Sequence, residues 1–516
     1  MARINSNVPS LVAQTNLSRT NQSLDSTLTR LSTGLRITRG ADDPAGLIVS
    51  ERLRSELAGI EQGIKNSERA SNVIATTEGA LSEVSELLNS IKALVVEAAN
   101  TGAFSREEIE ANQLQVDSAI EAITRISNTA SFGGLKLLNG SLAYSLSGVD
   151  PTHFSTSKIF GASFGDRSDV EIDVEVLGSA QTAGLFMRTD FNSQSIPGAT
   201  DGELPSSVTI EVAGPQGVME LTFVSGATTQ DIVDAINDRS SVTGVVASAQ
   251  LSAGGSVASG MVFRSIEYGS ESFVSVKKLS GGEALDTFKL TDNQAGPPDF
   301  STNTTAADRD EGKDVVVLLN GAVATGRGLD VRLRNPELDA AFSLTDDFAT
   351  TVDGTVSTFR ITGGGSLFQL GPQVHPNQQV NIGIDSLAAT RLGASLNTLT
   401  DGSAEVQFLS SLKSGGVNDL LNGNLQNASA VLEEAIGEVS TLRGRLGAFE
   451  RNTLDTNVRS LQASLENITA AESVIRDADF AAETSELTRL QVLSSAGTTV
   501  LATANANAQN VLQLLG

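Results

Sequence analysis

The sequence has 516 residues, a length typical of about three domains, and a net charge of −26 at pH 7. An excess of acid this large repels a nucleic-acid backbone, so no nucleic-acid partner is expected. The chain has no cysteine, which excludes disulfides and thiolate metal sites. Aromatic residues make up only 4% of the chain, so its cores must be aliphatic, which favours long helical bundles over compact globules.

The usual targeting segments are not evident in the sequence. The first residues, MARINSNVPSLVAQTN, lack a basic stretch followed by an apolar run, so no signal peptide is expected. No run of about 20 apolar residues is found, so no membrane span is expected. Most of the excess acid lies between residues 141 and 415, which predicts a solvated, mutually repelling surface there.

The stretch from residue 17 to residue 35 has the pattern of a helix that needs a partner. Its apolar residues recur with the spacing of a heptad seam, and polar residues fill the positions between them. A single narrow leucine stripe cannot be buried by one helix alone. The seam consists of Leu17, Leu24, Leu28, Leu31 and Leu35.

A second heptad seam lies at the other end of the chain and contains smaller, partly polar residues. Two ordinary amphipathic core helices would also give such patterns, but the length and polarity of both seams favour helices that associate with each other or with copies of themselves. The second seam consists of Leu490, Leu493, Gly497, Val500, Ala504, Asn507, Val511 and Leu514.

A basic connector, LRITRG, joins the first seam to a long helix predicted over about 44–100. Asp43 followed by Pro44 is typical of a helix N-terminus, because the carboxylate accepts free N–H groups and proline presets φ. The alternative for Asp42 and Asp43 is a pair of acid–base carboxylates, but no pattern brings a substrate pocket to them. A helix this long without internal proline indicates a coiled-coil rod.

The next helix begins at a capping box formed by Ser105 and Glu108, and it is expected to fold back antiparallel on the rod helix. Two glycine-containing turns, Gly133-Gly134 and Asn139-Gly140, then predict a hairpin over about 131–140.

Residues 141–415 lose the helical periodicity and are expected to form a β-rich, surface-exposed region. Two alternating runs, 206–212 and 218–224, predict a hairpin; a short helix follows over 228–238 and a strand over 243–251. Helices return at about 416 and continue past Asn452 to about 475, and the last helix is predicted from about 480.

Four stretches carry a resemblance to bacterial flagellin. They are LSTGLRITRGADDPAGLIVSERLRSEL, TTEGALSEVSELL, RLGAFERN and ESVIRDADFAAETSELTRLQVLSSAGTTVLATANANAQNVLQLL. The similarity covers about 1–140 and 416–516 in the order and at the ends that the family has. The segment from VTIEV to TGVVASAQ (208–250) also resembles a module found inside flagellins.

The resemblance implies a mixed α and β fold, with long terminal helices forming a coiled-coil rod and a central β-rich outer region. Helices over about 1–40 and 480–516 would form the inner tube of a filament. Helices over about 44–130 and 420–475, with the hairpin, would form the surrounding layer. Residues 141–415 would project outward as the variable region.

The resemblance also implies function and partners. The chain is expected to be an extracellular subunit that polymerises with itself into the flagellar filament, with no cofactor. Expected partners are the flagellar type III export apparatus, a secretion chaperone, the filament cap and the hook-associated proteins.

A vertebrate Toll-like receptor senses many flagellins through a segment that corresponds here to 89–96, which includes Ser90 and Leu94. Many activating family members carry arginine at the position of Ser90, and serine cannot replace the arginine fork. The chain is therefore expected to be a weak agonist.

Two other classes of protein are considered. A zinc protease would need H-E-x-x-H, but the two histidines, His153 and His375, stand in HFSTS and HPNQQ, so no enzymatic activity and no metal site are expected. The hook–filament junction protein shares flagellin-like ends and remains the alternative. The C-terminal similarity and the large insertion favour the filament subunit.

Overall fold

The computed structural model places two sets of helices at the ends of the chain and a strand-rich region between them, which confirms the predicted fold class. The structure describes residues 7–100, 102–165, 167–188, 203–204, 206–251, 258–281, 286–290, 305–335, 337–398, 404–421 and 424–515.

The described helices follow the predicted order. They are α1 (Val8–Thr33), α2 (Pro44–Ala98), α3 (Arg106–Thr129), α4 (Thr229–Asn237), α5 (Ser240–Thr243), α6 (Asp346–Thr350), α7 (Leu425–Phe449), α8 (Asp455–Arg476) and α9 (Phe480–Leu515). Short 3₁₀ turns cover Pro376–Gln378 and Leu409–Leu412, and a π-helical turn covers Glu450–Leu454.

Local sequence signals set the helix starts. The side chain of Asp43 accepts from the N–H of Gly46 at 2.9 Å, which confirms it as the cap of α2. Ser105 and Glu108 form the predicted capping box of α3, with each side chain accepting from the other residue's backbone N–H. The 55 residues of α2 make a continuous helix about 80 Å long.

The chain divides into two compact units. The first contains residues up to 79, residues 368–380 and residues from 441 onward; the second contains 80–367 and 381–440. Each unit is described separately below.

In the first unit, the N-terminal half of α2 packs on α8 along a helical stripe. Ile60, Ala70 and Ile74 are buried on α2, while Leu446 and Leu454 are buried at the end of α7 and in the π-helical turn. On α8 the most deeply buried residue is Leu461, at 8% exposed. The side chain of Leu461 approaches Gly63 so closely that a Cβ at Gly63 would lie 3.2 Å from it.

The sequence pattern alone predicted an uninterrupted helix between α7 and α8. The structure has a π-helical turn at Glu450–Leu454 instead, and this turn keeps the stripe of buried residues continuous. The buried leucines Leu446, Leu454 and Leu461 are separated by eight and then seven residues. Eight residues do not fit the heptad spacing, and the wider π turn accommodates the extra residue.

Residues 368–380 lie within the region predicted to project outward, but they pack on the helices of the first unit. The carbonyl of Leu370 accepts from Asn457 Nδ2 at 2.9 Å, and the carbonyl of Gln369 accepts from Asn66 Nδ2 at 3.1 Å. A Cβ at Gly59 would lie 2.9 Å from the backbone of Pro372. No periodicity in the sequence marks this return of the chain.

In the second unit, the C-terminal half of α2, α3 and the first half of α7 bury an aliphatic core. Its fully covered members include Leu81, Leu88, Ile91, Val116, Ile120, Ile123, Val431, Leu432 and Val439. The segment from 409 to 421 lies against α3, where buried Gln113 donates to the carbonyl of Leu412 and accepts from the N–H of Leu420. Helix α7 therefore begins at Leu425, later than the predicted return of helices at about 416.

The described strands form one large sheet, two four-stranded sheets and small two-stranded pairs. The strands are β1 (Ser131–Phe132), β2 (Leu135–Lys136), β3 (Tyr144–Ser147), β4 (Phe154–Ala162), β5 (Val170–Gly178), β6 (Thr182–Arg188), β7 (Val208–Gly214), β8 (Gly217–Phe223), β9 (Val245–Leu251), β10 (Ala258–Tyr268), β11 (Phe273–Gly281), β12 (Thr287–Lys289), β13 (Arg309–Glu311), β14 (Val316–Leu319), β15 (Ala322–Arg327), β16 (Asp330–Arg334), β17 (Leu338–Leu344), β18 (Val356–Gly364), β19 (Ser366–Gln369), β20 (Gln379–Ile382), β21 (Ser395–Thr398) and β22 (Ala404–Gln407).

The pairings confirm the predicted hairpins. Strands β1 and β2 form the hairpin after α3, and β7 and β8 form the hairpin predicted from the alternating runs, followed by α4 and β9 as expected. The large sheet has the order β3-β18-β5-β14-β15-β16-β17-β4. Its inward residues alternate along strands such as β5 and build one core around Phe154, Phe342 and Phe359.

Strands β6 to β13, with α4 and α5, form an inserted module with its own core. The chain enters and leaves the module at one point, because Gln181 and Lys313 pair through two reciprocal backbone hydrogen bonds of 2.9 Å. An insertion whose ends meet in this way can be exchanged without moving its host.

We therefore expect replacement of 182–312 by Asn-Gly to leave the rest of the fold intact, because a two-residue turn closes the paired strands. Circular dichroism melting should shift by less than about 5 °C. Replacement of 370–378 by Asn-Gly is the comparison, because it removes the contacts of that segment with α2 and α8. We expect it to lower the melting midpoint more than replacement of 182–312 does. A larger drop in melting midpoint from replacing 182–312 than from replacing 370–378 would contradict the description of the module as an independent insertion.

Candidate assembly interface

The terminal helices α1 and α9 lie antiparallel along each other, although their residues are almost a full chain length apart. Their buried and half-buried residues repeat with heptad spacing on both helices, which defines the two facing stripes. On α1 the stripe contains Ala13, Leu17, Thr20, Leu24, Thr27 and Leu31; on α9 it contains Leu487, Leu490, Ser494, Gly497, Leu501 and Ala504.

Small residues let the two helices approach closely. A Cβ at Gly497 would lie 3.2 Å from Leu17 Cδ1, so the leucine packs directly over the glycine. Among the residues of α9 whose side chains are described, Leu490 is the most completely covered apolar one at 4% exposed, and Ala13 is buried on α1. Burial of one such leucine stabilises the pair by about 2 kcal/mol.

Polar contacts at four levels set the register of the pair. Asn7 Nδ2 donates to the carbonyl of Ala504 at 3.2 Å, and Ser494 Oγ lies 3.1 Å from Asn21 Oδ1. Further contacts join Ser10 Oγ to Asn505 Oδ1 and Arg30 to Glu483. Each exposed contact contributes little energy, but a shift by one heptad would break all four, so they specify the alignment.

A short backbone clamp joins the inner ends of the two helices. The N–H of Arg36 donates to the carbonyl of Arg476 at 2.7 Å, and the N–H of Ala478 donates to the carbonyl of Gly34 at 2.9 Å. Gly34 ends α1 with a left-handed φ of 70°, which a side chain would disfavour. The clamp therefore fixes where α1 ends and where α9 begins.

The acidic pair after the clamp is structural. Asp42 Oδ2 accepts from the Thr38 hydroxyl at 2.8 Å and from the N–H groups of Thr38 and Arg39. The hydroxyl of Thr38 is the main cause that lowers the pKa of Asp42 to about 2. Asp42 therefore remains an acceptor that folds the connector, and Asp43 caps α2, as the sequence predicted.

The predicted leucine seam of α1 is half-buried except at one position. Leu17, Leu24, Leu31 and Leu35 are half-buried, whereas Leu28 is 46% exposed. Leu28 lies outside the facing stripe because buried Thr27 occupies the heptad position beside it.

On α9 the facing stripe differs in phase from the predicted seam. Leu490, Gly497 and Ala504 belong to both, but Leu493 and Val500 are 44% and 57% exposed. Leu487, Ser494 and Leu501 are half-buried and take the alternate positions of the stripe. Val511 and Leu514 lie in α9, and their side chains fall outside the described part of the structure.

Apolar residues outside the stripe remain uncovered on both helices. The exposed set is Val8, Leu11, Val12 and Leu28 on α1 and Phe480, Val492, Leu493 and Val500 on α9. We call these residues the uncovered face. An exposed set of this size is typical of a protein–protein contact surface.

The possible receptor segment lies on α2. Ser90 is exposed and Leu94 is half-buried, while Ile91 and Val95 are covered by the core of the second unit. Lys92 pairs with Glu433 of α7 at 3.0 Å.

The two histidines lie apart from each other in loops. His153 stacks on Phe348 with ring centroids 4.3 Å apart, and its Nδ1 lies 2.9 Å from Ser357 Oγ. His375 accepts from the N–H of Asn377 and starts a 3₁₀ turn. Among the described residues, no group of three or more His, Cys, Asp or Glu is placed to hold a metal ion. The helices in the described ranges include none that is long and apolar enough to cross a membrane.

The two chain ends pair with each other on a helical rod, and a β-rich region separates them along the sequence. These features define a structural protein organised around its termini. Family models match three parts of the chain: the bacterial flagellin N-terminal helical region at 4–143, the flagellin hook IN motif at 207–265 and the bacterial flagellin C-terminal helical region at 429–515. The chain belongs to the bacterial flagellin family.

Curated relatives agree over nearly the full length. Flagellin of Salmonella rubislaw is 28% identical over 99% of both chains, and B-type flagellin of Pseudomonas aeruginosa has the same identity and coverage. The solved structure of FliC from Burkholderia pseudomallei is 14% identical, with a TM-score of 0.23, and covers 74% of this chain and 99% of its own. The family identifies the chain as a structural subunit of the flagellar filament and does not favour the junction protein.

The pairing of α1 with α9 can be tested by crosslinking, because the chain has no cysteine of its own. Asn21→Cys with Ser494→Cys places two thiols where side chains now touch, so we expect a disulfide within one chain under mild oxidation. Asn21→Cys with Ser495→Cys is the matched control, since exposed Ser495 is on the neighbouring position of the same helix. Equal crosslinking of both pairs would contradict the alignment.

Proposed function

We propose that the chain polymerises with itself through its terminal helices into an extracellular flagellar filament. The observation that carries this proposal is the uncovered face on α1 and α9, which the pairing of the two helices leaves exposed. In a filament the same residues would be covered by the terminal helices of neighbouring copies.

The layers follow from the sequence boundaries. Helices over about 1–40 and 480–516 would form the inner tube, and the helices over 44–130 and 420–475 would form the layer around it. The inserted module and the acidic sheet within 141–415 would face solvent, where like charges keep filaments soluble and apart. The return of 368–380 to the helices supports a smaller outward region than the sequence boundaries imply.

The remaining partners are proposed from family membership. We expect export through the flagellar type III apparatus, a secretion chaperone on the C-terminal helix, and contacts with the filament cap and hook-associated proteins. We propose no catalytic role, because the family is one of structural proteins and the side chains of the paired helices supply only packing and alignment.

Val500→Asp should block polymerisation while leaving the α1–α9 pairing in place. Val500 is 57% exposed, so aspartate costs little in a single copy, but burial of its charge between copies would cost several kcal/mol. Elongation from filament seeds, followed by electron microscopy, measures the effect, and the cysteine pair at 21 and 494 reports the pairing. Thr499→Asp, on the neighbouring exposed position, is the control.

Filaments of normal length from Val500→Asp would contradict the assignment of the uncovered face. Removal of the last 15 residues should likewise abolish elongation, whereas removal of the module 182–312 should allow it. Elongation by the truncated chain but not by the chain without the module would contradict the inside–outside arrangement.

We also propose that the chain is a weak agonist of the Toll-like receptor that senses flagellins. Ser90 is exposed on α2, so Ser90→Arg can be accommodated, and an arginine fork there should raise potency by about tenfold or more in a receptor reporter assay. Asn89→Arg, also exposed, is the matched control. Full potency of the unmodified chain, equal to that of Ser90→Arg, would contradict the proposal.

A further inference from the structure

The sequence Leu-Leu-Asn-Gly occurs three times in the chain, and two of the occurrences lie wholly within the described residues. These two end in Asn139-Gly140 and Asn320-Gly321. Asparagine before glycine readily loses its side-chain amide, because glycine has no side chain to shield its backbone nitrogen. Both asparagines are exposed, so access of water does not distinguish them.

Asn320 is held at both atoms of its side-chain amide. Its Oδ1 accepts from the N–H of Asp173 at 2.8 Å, and its Nδ2 donates to the carbonyl of Glu171 at 3.0 Å, so the amide is fixed against β5. The backbone N–H of Asn320 also donates to the carbonyl of Asp173, at 3.1 Å. An amide bound on both sides cannot turn its face to the following nitrogen unless both bonds break.

Asn139 is held at one amide atom. Its Oδ1 accepts from the N–H of Ser141 at 3.0 Å, whereas its Nδ2 has no acceptor among the described residues. A hydrogen bond to Oδ1 polarises the side-chain carbonyl and stabilises the oxyanion that forms when Cγ is attacked. Both asparagines have such a donor, so the difference between them is that the leaving nitrogen of Asn139 is free to depart.

We propose that Asn139-Gly140 is a site of spontaneous modification, at which the asparagine of the folded chain is converted to aspartate and isoaspartate, and that Asn320-Gly321 is protected. The Gly140 nitrogen loses its proton to solvent and bonds to Cγ of Asn139. The bond from Cγ to Nδ2 breaks, and Nδ2 takes a proton and leaves as ammonia. Water then opens the five-membered ring at either carbonyl carbon, which gives aspartate or isoaspartate. The reaction does not depend on the proposed polymerisation.

The modified turn is anchored at both ends. The carbonyl of Leu138 accepts from the N–H of Leu387 at 3.0 Å, and the carbonyl of Leu142 accepts from the N–H of Ile384 at 3.1 Å. An isoaspartyl linkage runs the backbone through the side chain and therefore adds one carbon between these anchors. The contacts of the turn with Ile384 and Leu387 should loosen as isoaspartate accumulates.

Peptide mapping by mass spectrometry tests the site, because trypsin places each asparagine in a peptide without any other Asn or Gln, 137–158 and 314–327. The full folded chain is incubated at about pH 8 and 37 °C, and conversion of each peptide from amide to acid is followed. Peptide 137–158 should convert at least about tenfold faster, since two hydrogen bonds must break before Asn320 reacts. In concentrated urea the two peptides should convert at equal rates, because the same four residues surround each reacting bond.

Equal rates in the folded chain, or faster conversion of peptide 314–327, would overturn the proposal. A difference that persists in urea would also overturn it, because the cause would then be the local sequence and not the hydrogen bonds of the fold.

Hydrogen exchange of the incubated chain tests the effect on the turn. The amides of Ile384 and Leu387 should exchange about fivefold faster than before incubation, as expected for loss of one hydrogen bond. Asn139→Asp is the matched control, because it adds the charge without lengthening the backbone, and it should keep the original protection. Unchanged exchange after incubation, or the same rise in Asn139→Asp, would overturn the expected effect of isoaspartate.

Discussion

The structure depends on one constraint, which is that the narrow apolar stripe of α1 can be buried only against α9. A stripe of this width gives an isolated helix too little buried area to be stable in water. The two ends of the chain must therefore meet, and everything between them has to begin and end at the same place. The backbone clamp at Gly34 and Ala478 satisfies this requirement.

The same rule recurs within the second unit. The inserted module begins and ends at the Gln181–Lys313 pair, so the large sheet continues as though the module were a turn. Closed ends let the large sheet and the inserted module each keep a core of its own. Variation within the module is then compatible with an unchanged large sheet, because the module closes on the sheet at one point.

Periodicity and capping signals predicted the helices, the hairpins and the meeting of the chain ends. They did not predict which face of α9 would turn inward, since Leu490, Gly497 and Ala504 fit either phase. The two phases differ only at the positions between them, where half-buried Ser494 replaces exposed Leu493. The return of 368–380 depends on backbone contacts such as that of Leu370 with Asn457, which leave no periodic signal. The ion pair of Glu438 with Lys158 joins a helix to a distant strand and is equally invisible in the sequence.

The antiparallel pairing also means that the paired surface of α1 and α9 can form only when the whole chain is present. The hydrogen bond between Asn7 and Ala504 joins residues 497 positions apart, so α1 has no partner until the far end of the chain is available. Contacts of such large sequence separation form late in folding. A chain cut short before α9 would keep its sheets but lack the paired surface, and copies that were incompletely made would be left out of any polymer built on that surface.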